Sequence, residues 1–242
     1  MRTRQTGIDF GLYLSAIPVL ARNPAIIVVP LLMAVVGYLL NLVLLPFSGG
    51  VAGSLTLNLA GLIQFMLTMF GLGAACTVAD DAWRHGRASF DRAWDETRRR
   101  SSDILLAAVG FGLILTVGVY VTQIFGIIGY LLVIAIAVFL IWTIPAAAIG
   151  GIPGGAAIQV SIDRVRSSPP TAIFVAVVSF VLIAFAVPYA ANWLDTLAST
   201  WVSGNTLLAL AGLIQALLQA IAIGYVALVL TKTYTDNAFG RR

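Results

Sequence analysis

Three long stretches of this chain carry almost no charge. Between Asn23 and Ala79, and again between Ile104 and Ile162, there is none; between Ser167 and Thr231 there is one, Asp195. Each stretch is roughly 60 residues long, and a bilayer core of about 30 Å takes about 20 apolar residues per helix. Each therefore predicts two helices and a turn. Lipid admits only helices or closed barrels, because the backbone must satisfy its own hydrogen bonds there. Text such as AIIVVPLLMAVVGYLL and YLLVIAIAVFLIW lacks the alternation of barrel strands. The expected fold class is an all-α membrane protein. Its six transmembrane helices form three hairpins, at about 24–79, 104–149 and 171–231, within one polytopic domain covering 1–242.

The pattern places helix one at about Ala25–Leu45, with Pro30 early enough to kink it. Helix two runs from about Leu55 to Ala79 and helix three from about Ile104 to Ile124. Helix four covers Tyr130–Ile149 and ends at GGIPGG, 150–155, where Gly and Pro remove helix propensity. Helix five covers Thr171–Ala190 and helix six Thr206–Thr231, after which the polar tail is expected to fray. The outer connections are PFSGGVAGS, FGIIGY and PYAANWLDTLASTWVSGN. The last carries Tyr189, Trp193 and Trp201 as an interfacial aromatic belt.

The polar interruptions have a pattern of their own. Residues 6–22 are too short to span, but Ile8, Leu12, Ser15 and Val19 recur at helical spacing, as in a helix lying on a membrane surface. The stretch Asp80–Asp103 is read as the main cytoplasmic loop, with six basic and six acidic residues and the only His. Within it Ser89 is placed as an N-cap, and Phe90, Ala93, Trp94 and Thr97 share one face of a short helix. A third segment, AAIQVSIDRVRSSPP, puts Ile158, Ile162 and Val165 on one face. Each hairpin is thus preceded by a cytoplasmic amphipathic segment. Two matches suggest a repeated unit. LAGLIQ occurs at 59–64 and 210–215, and a Ser-apolar-Asp-Arg-apolar pattern begins at Ser89 and at Ser161, each followed by Arg-Ser-Ser.

Composition agrees with membrane insertion: 60% of the 242 residues are hydrophobic and 10% charged, with mean hydropathy +0.99. Soluble domains carry about 25% charge. If the termini and polar interruptions share one side, that side holds all 14 Lys and Arg residues, and the positive-inside rule makes it cytoplasmic. The expected topology is both termini in, and the net charge of +4 then reports contact with anionic headgroups. The candidate headgroup contacts are Arg92, Arg98, Arg99, Arg100, Arg164 and Arg166. Nucleic acid is excluded as a partner, since no separate basic domain exists to bind it. The preference for Arg over Lys and the lack of targeting signals suit a bacterial or archaeal cytoplasmic membrane. Neither a cleaved leader nor a lipidation box is expected.

Ionisable residues inside a membrane mark functional sites by default, and none falls inside the expected spans. The strongest polar candidates there are Gln64 and Gln215, at equivalent places in the two LAGLIQ matches, with Gln219 a turn further on. They could meet across a central site; interhelical hydrogen bonding is the plainer reading. His85 has no partner at catalytic or zinc-site spacing. The carboxylate pairs Asp80-Asp81 and Asp95-Glu96 lie among arginines that neutralise them. Cys76 is alone, which rules out an internal disulfide. No catalytic, cofactor-binding or metal-ligating residue is expected.

HGRASFDRAWDETRRRSSDILLAAVGF and GGAAIQVSIDRVRSSPPTAIFVAVVSF resemble surface-helix-to-hairpin segments of bacterial six-helix inner-membrane families. That group includes the membrane domain of glycerophosphoryl diester phosphodiesterases. The resemblance implies the architecture only, because the catalytic domain and its acidic and His ligands are missing from this sequence. The functional expectation is a non-enzymatic membrane protein that organises lipids or serves as an accessory or scaffold subunit. Its partners would be membrane lipids, with a protein partner or homo-oligomer left open. The alternative is a small-solute or lipid transporter built from repeated hairpins, and a third reading is a membrane enzyme working at the headgroup plane.

Overall fold

A computed structural model describes residues 8–44, 50–200 and 204–239, and among them there is no strand. Six helical stretches are long and apolar enough to cross a membrane: Ala25–Leu44, Asn58–His85, Ser101–Gly118, Ile127–Ala148, Pro169–Ala198 and Ala209–Asp236. The protein is a multi-pass membrane protein. Of the expected outer turn at 46–54, residues 50–54 are helical, while 46–49, Trp201 of the aromatic belt and the arginines at positions 2, 4, 241 and 242 lie outside the described residues.

The elements are α1 (Phe10–Arg22), α2 (Ala25–Leu44), α3 (Gly50–His85), α4 (Phe90–Arg99), α5 (Ser101–Phe125) and α6 (Ile127–Phe139). They continue as α7 (Thr143–Ala148), α8 (Gly154–Ser167), α9 (Pro169–Phe180), α10 (Val187–Ala198) and α11 (Asn205–Phe239). A π-helical turn, Val181–Ala186, joins α9 to α10 without a break. It lies just ahead of Pro188, which has no N–H to donate and whose ring crowds the carbonyl four residues earlier. The ladder widens there, and the Val187 N–H bonds the Leu182 carbonyl.

The packing is cyclic. The hairpins are α2/α3, α5/α6–α7 and α9–α10/α11, and their second helices α3, α7 and α11 touch one another at the centre. Each first helix sits against the second helix of the preceding hairpin: α2 on α11, α5 on α3, α9 on α6. The short surface helices follow the same rule, with α1 on α11, α4 on α3, and α8 on α7 and α5. Three like units in a ring make this arrangement, and both LAGLIQ matches fall on second helices.

Small residues let the helices close up, as they do where lipid supplies no hydrophobic drive between helices. The centre is alanine-rich: Ala74, Ala75, Cys76 and Ala79 of α3 are buried with Ala146, Ala147 and Ala148 of α7 and Ala227 of α11. Gly73 faces Ile104 so closely that a Cβ would lie 2.7 Å from a methyl, and a Cβ on Gly212 would collide with the Tyr38 ring. The outward faces keep their large apolar residues, among them Leu39, Leu113, Leu131 and Phe185. Lipid is the solvent those faces suit.

Several boundaries differ from the sequence expectation. Helix two continues through Asp80 and Asp81 to His85, so only 86–89 of the supposed cytoplasmic loop is non-helical before α4. Arg84 pairs with Asp80 one turn earlier at 2.9 Å, which suits a helix running out into water. The fifth span reaches Ala198, making most of the expected outer loop helical, and the tail is helical to Phe239. Helix four breaks between Phe139 and Thr143, because Pro145 crowds the carbonyl of Ile141.

Candidate functional site

The polar residues gather at one end of the bundle. One buried side chain there ties two of the connections together. Asn23, 4% exposed at the break between α1 and α2, accepts the Ala88 N–H on Oδ1 at 2.8 Å. Its Nδ2 donates to the Val19 carbonyl at 2.9 Å and to the Gly86 carbonyl at 3.4 Å. One amide thus fastens the α1–α2 junction to the α3–α4 turn, which Gly86 makes possible with φ +77°. Ser89 starts α4, but its hydroxyl makes no cap bond. Instead its N–H donates to Asp81 Oδ2 at 2.7 Å. Asp81 Oδ1 also takes His85 Nδ1 at 2.9 Å and Arg92 at 3.2 Å.

The expected faces of the surface helices are partly right. On α4, Ala93 and Thr97 are buried, and the Thr97 hydroxyl bonds that of Thr77 on α3 at 2.7 Å. Phe90 and Trp94 stack along the helix, rings 6.3 Å apart, with Trp94 exposed. On α1 the buried pair is Leu12 and Ala16, and Ser15 faces out. There the Tyr225 hydroxyl donates to the Tyr13 carbonyl at 3.1 Å, and burial pushes the Tyr13 phenol up to about 12. On α8 the buried line is Gly154, Ala157, Ser161 and Val165, so of the expected Ile158, Ile162 and Val165 face only Val165 is buried.

The six arginines proposed as headgroup contacts divide in two. Arg98, Arg99 and Arg166 are exposed, and Arg92 is exposed while holding Asp81. Arg100 and Arg164 are half-buried and bond to the protein. Arg100 donates to the carbonyls of Ala148 and Ile149, at 3.0 and 2.7 Å, and pairs with Glu96. A cation on the last carbonyls of α7 is favoured by the helix dipole. Arg164 lies 3.3 Å from the centre of the Tyr234 ring and donates to the Tyr234 carbonyl. Both arginines brace the polar end of the bundle from within.

Within the spans, Gln64 takes a hydrogen bond from Asn41 of α2 at 3.1 Å, an interhelical pair inside the first hairpin. Gln215 is exposed and Gln219 half-buried. No described hydrogen bond joins either to Gln64, so the three glutamines do not form one site by direct contact. Asn41 is the partner that sequence reasoning missed; as a polar residue in a charge-free run it was visible. Cys76 is fully buried at the centre, its carbonyl accepting the Thr231 hydroxyl at 3.3 Å. Trp83 Nε1 donates to the Leu228 carbonyl at 3.0 Å, again linking α3 to α11. Among the described residues no group of three His, Cys, Asp or Glu side chains converges as metal ligands would.

No family model, no curated protein and no solved structure matches this chain. The likeness to six-helix inner-membrane families therefore rests on the surface-helix segments alone.

Proposed function

We infer that this is a non-enzymatic protein of a bacterial or archaeal cytoplasmic membrane, with both termini inside, that organises lipids or a partner protein at the inner leaflet. The observation that carries this reading is what fills the middle. The three second helices meet through buried alanines, and Gln64, Trp83 and Thr231 near them are spent on helix-to-helix bonds, while the buried Thr143 hydroxyl has no hydrogen-bond partner among the described residues. A transporter needs a polar path to the bilayer midplane. Among the described residues one surface cleft lies at Arg22, His85, Gly86 and Arg87 and another at Phe10, Tyr13, Leu14, Phe174, Val178 and Tyr225. Neither is lined by Gln64, Gln215 or Gln219.

The basic end supplies the contact with the leaflet. Arg98 and Arg99 are exposed on α4, which also carries the exposed Trp94 ring, and Arg166 is exposed on α8. Arginine beside an interfacial aromatic is the composition that holds a surface helix on anionic lipid. By the positive-inside rule that end faces the cytoplasm. The test is extraction from native membrane into nanodiscs, followed by mass spectrometry of what accompanies the protein. A stoichiometric phospholipid or protein partner is expected. Enrichment of one small solute, with neither, would replace this reading with transport.

A further inference from the structure

Arg22 and Arg87 differ from the ion-paired basic residues at this end, and unlike the exposed Arg98, Arg99 and Arg166 they share a cleft. Arg84, Arg92, Arg100 and Lys232 each hold a carboxylate, whereas neither Arg22 nor Arg87 has an ion pair among the described residues. The two are far apart in sequence, yet with His85 and Gly86 they line one cleft of about 630 Å³.

What brings them together is buried and specific. Arg22 ends α1 immediately before Asn23, and Arg87 sits between Gly86 and Ala88, the two residues whose backbone Asn23 bonds. The buried amide thus pins the backbone on both sides of the cleft. His85, the third wall, is held by Asp81 at 2.9 Å. The charge of that carboxylate is matched by Arg92 and by the Ser89 N–H, so it leaves no unopposed negative charge beside the cleft. Gly86 adds no bulk, and a Cβ there would meet nothing within 4 Å.

We propose that this cleft binds a phosphate group, with the Arg22 and Arg87 guanidiniums as its ligands. Guanidinium is planar and bidentate toward phosphate oxygens. Two unpaired guanidiniums lining one cleft repel each other when it is empty, and an anion bound between them relieves that repulsion. The chemistry stands on the cleft itself. Only the source of the phosphate rests on the membrane reading, because the cleft lies at the α1–α2 junction, where the chain passes from a surface helix into a span. A phospholipid headgroup and a soluble phosphate ester share that chemistry.

Both sources can be measured on full-length protein in dodecyl maltoside without phosphate, using inorganic phosphate and dioctanoyl phosphatidylglycerol as separate titrants in calorimetry. One-site binding of at least one titrant is expected. The double variant Arg22→Gln/Arg87→Gln should lose about ten-fold or more in affinity, because both charge-assisted contacts to the anion are removed. Arg84→Gln/Lys232→Gln removes the same charge and should lose less than about two-fold in the same titrations. Binding of the lipid alone identifies a headgroup, and binding of phosphate alone a soluble ester. Binding of both, in competition, identifies a site that reads the phosphate group itself. Each of these supports the cleft, provided the double variant loses it. No binding of either titrant, or equal losses in the two double variants, overturns it. If neither titrant binds while the protein still carries a phospholipid out of the membrane, the cleft is wrong and the lipid-organising reading stands.

Discussion

Ser161 holds both ends of the break at Trp142. Its hydroxyl accepts the Trp142 N–H at 3.0 Å and donates to the Phe139 carbonyl at 2.8 Å, while Trp142, fully buried, bonds Thr233 of α11 through Nε1 at 3.1 Å. Pro145 forces the fourth span to break, and the break frees backbone groups that lipid cannot satisfy. A surface helix supplies the remedy. This gives α8 a structural duty besides any contact with the leaflet.

Replacing Ser161 with Ala should therefore cost about 1–3 kcal/mol, the penalty for leaving a buried donor and acceptor unpaired. Thermal unfolding of the purified protein in detergent measures it. An unchanged midpoint would mean that water or a shifted backbone takes over those bonds.

Two adjacent glycines give a sharper test of how α8 docks. A Cβ on Gly154 would lie 2.6 Å from Leu106 Cβ and 2.8 Å from the Ala107 nitrogen, whereas one on Gly155 meets nothing within 4 Å. Gly154→Ala should push α8 off α5 and destabilise by about 1–3 kcal/mol. Gly155→Ala should be neutral or stabilising by up to about 1 kcal/mol, because Ala is the better helix former. Comparing the two unfolding midpoints checks this; equal effects would contradict the packing.

Much of this architecture was legible in the chain because charge is so costly in lipid. The three uncharged stretches located six spans, and the surface helices stood out by spacing. The errors have physical causes. Asp80 and Asp81 looked like the start of a loop, yet a helix can run into water when its carboxylates find Arg84, His85 and Arg92 on the same or a neighbouring helix. Pro145 was visible, but among so many apolar residues its effect on Ile141 was lost in the continuity of the run. Arg100 and Arg164 could not be told from Arg98 and Arg166 by sequence. Their direction depends on where the ends of α7 and α11 come to rest, and that is a property of the assembled ring.

The intramembrane glutamine is expected to be a packing device. Asn41→Leu/Gln64→Leu removes both partners of one hydrogen bond, so it should be close to neutral, while Gln64→Leu alone should cost about 0.6 kcal/mol, the mean for such bonds in a bilayer. Denaturation in mixed micelles can resolve the pair. A double variant that folds normally but loses the protein's cellular phenotype would instead make Gln64 part of a ligand site.

Tyr13 provides a pH signature for the docking of α1. Its phenol is raised from 10.0 to about 12, chiefly by burial, with Tyr225 and Asp9 adding to the shift. Because the folded state favours the neutral form, this contribution is intact below pH 10 and is lost as pH rises toward 12. In an ultraviolet titration, Tyr13→Phe should remove a late-ionising component. If that component persists in the variant, α1 is not seated as described.

The six-crossing topology, with the knotted basic end inside the cell, is tested most directly by cysteine accessibility. In a Cys76→Ala background, Ser167→Cys lies exposed at the basic end and Thr200→Cys exposed beyond the end of α10. An impermeant maleimide added to intact cells should label Thr200→Cys at once and Ser167→Cys only after the membrane is opened. Labelling of Ser167→Cys in intact cells, with Thr200→Cys protected, would contradict both the orientation and the lipid role assigned to the basic end.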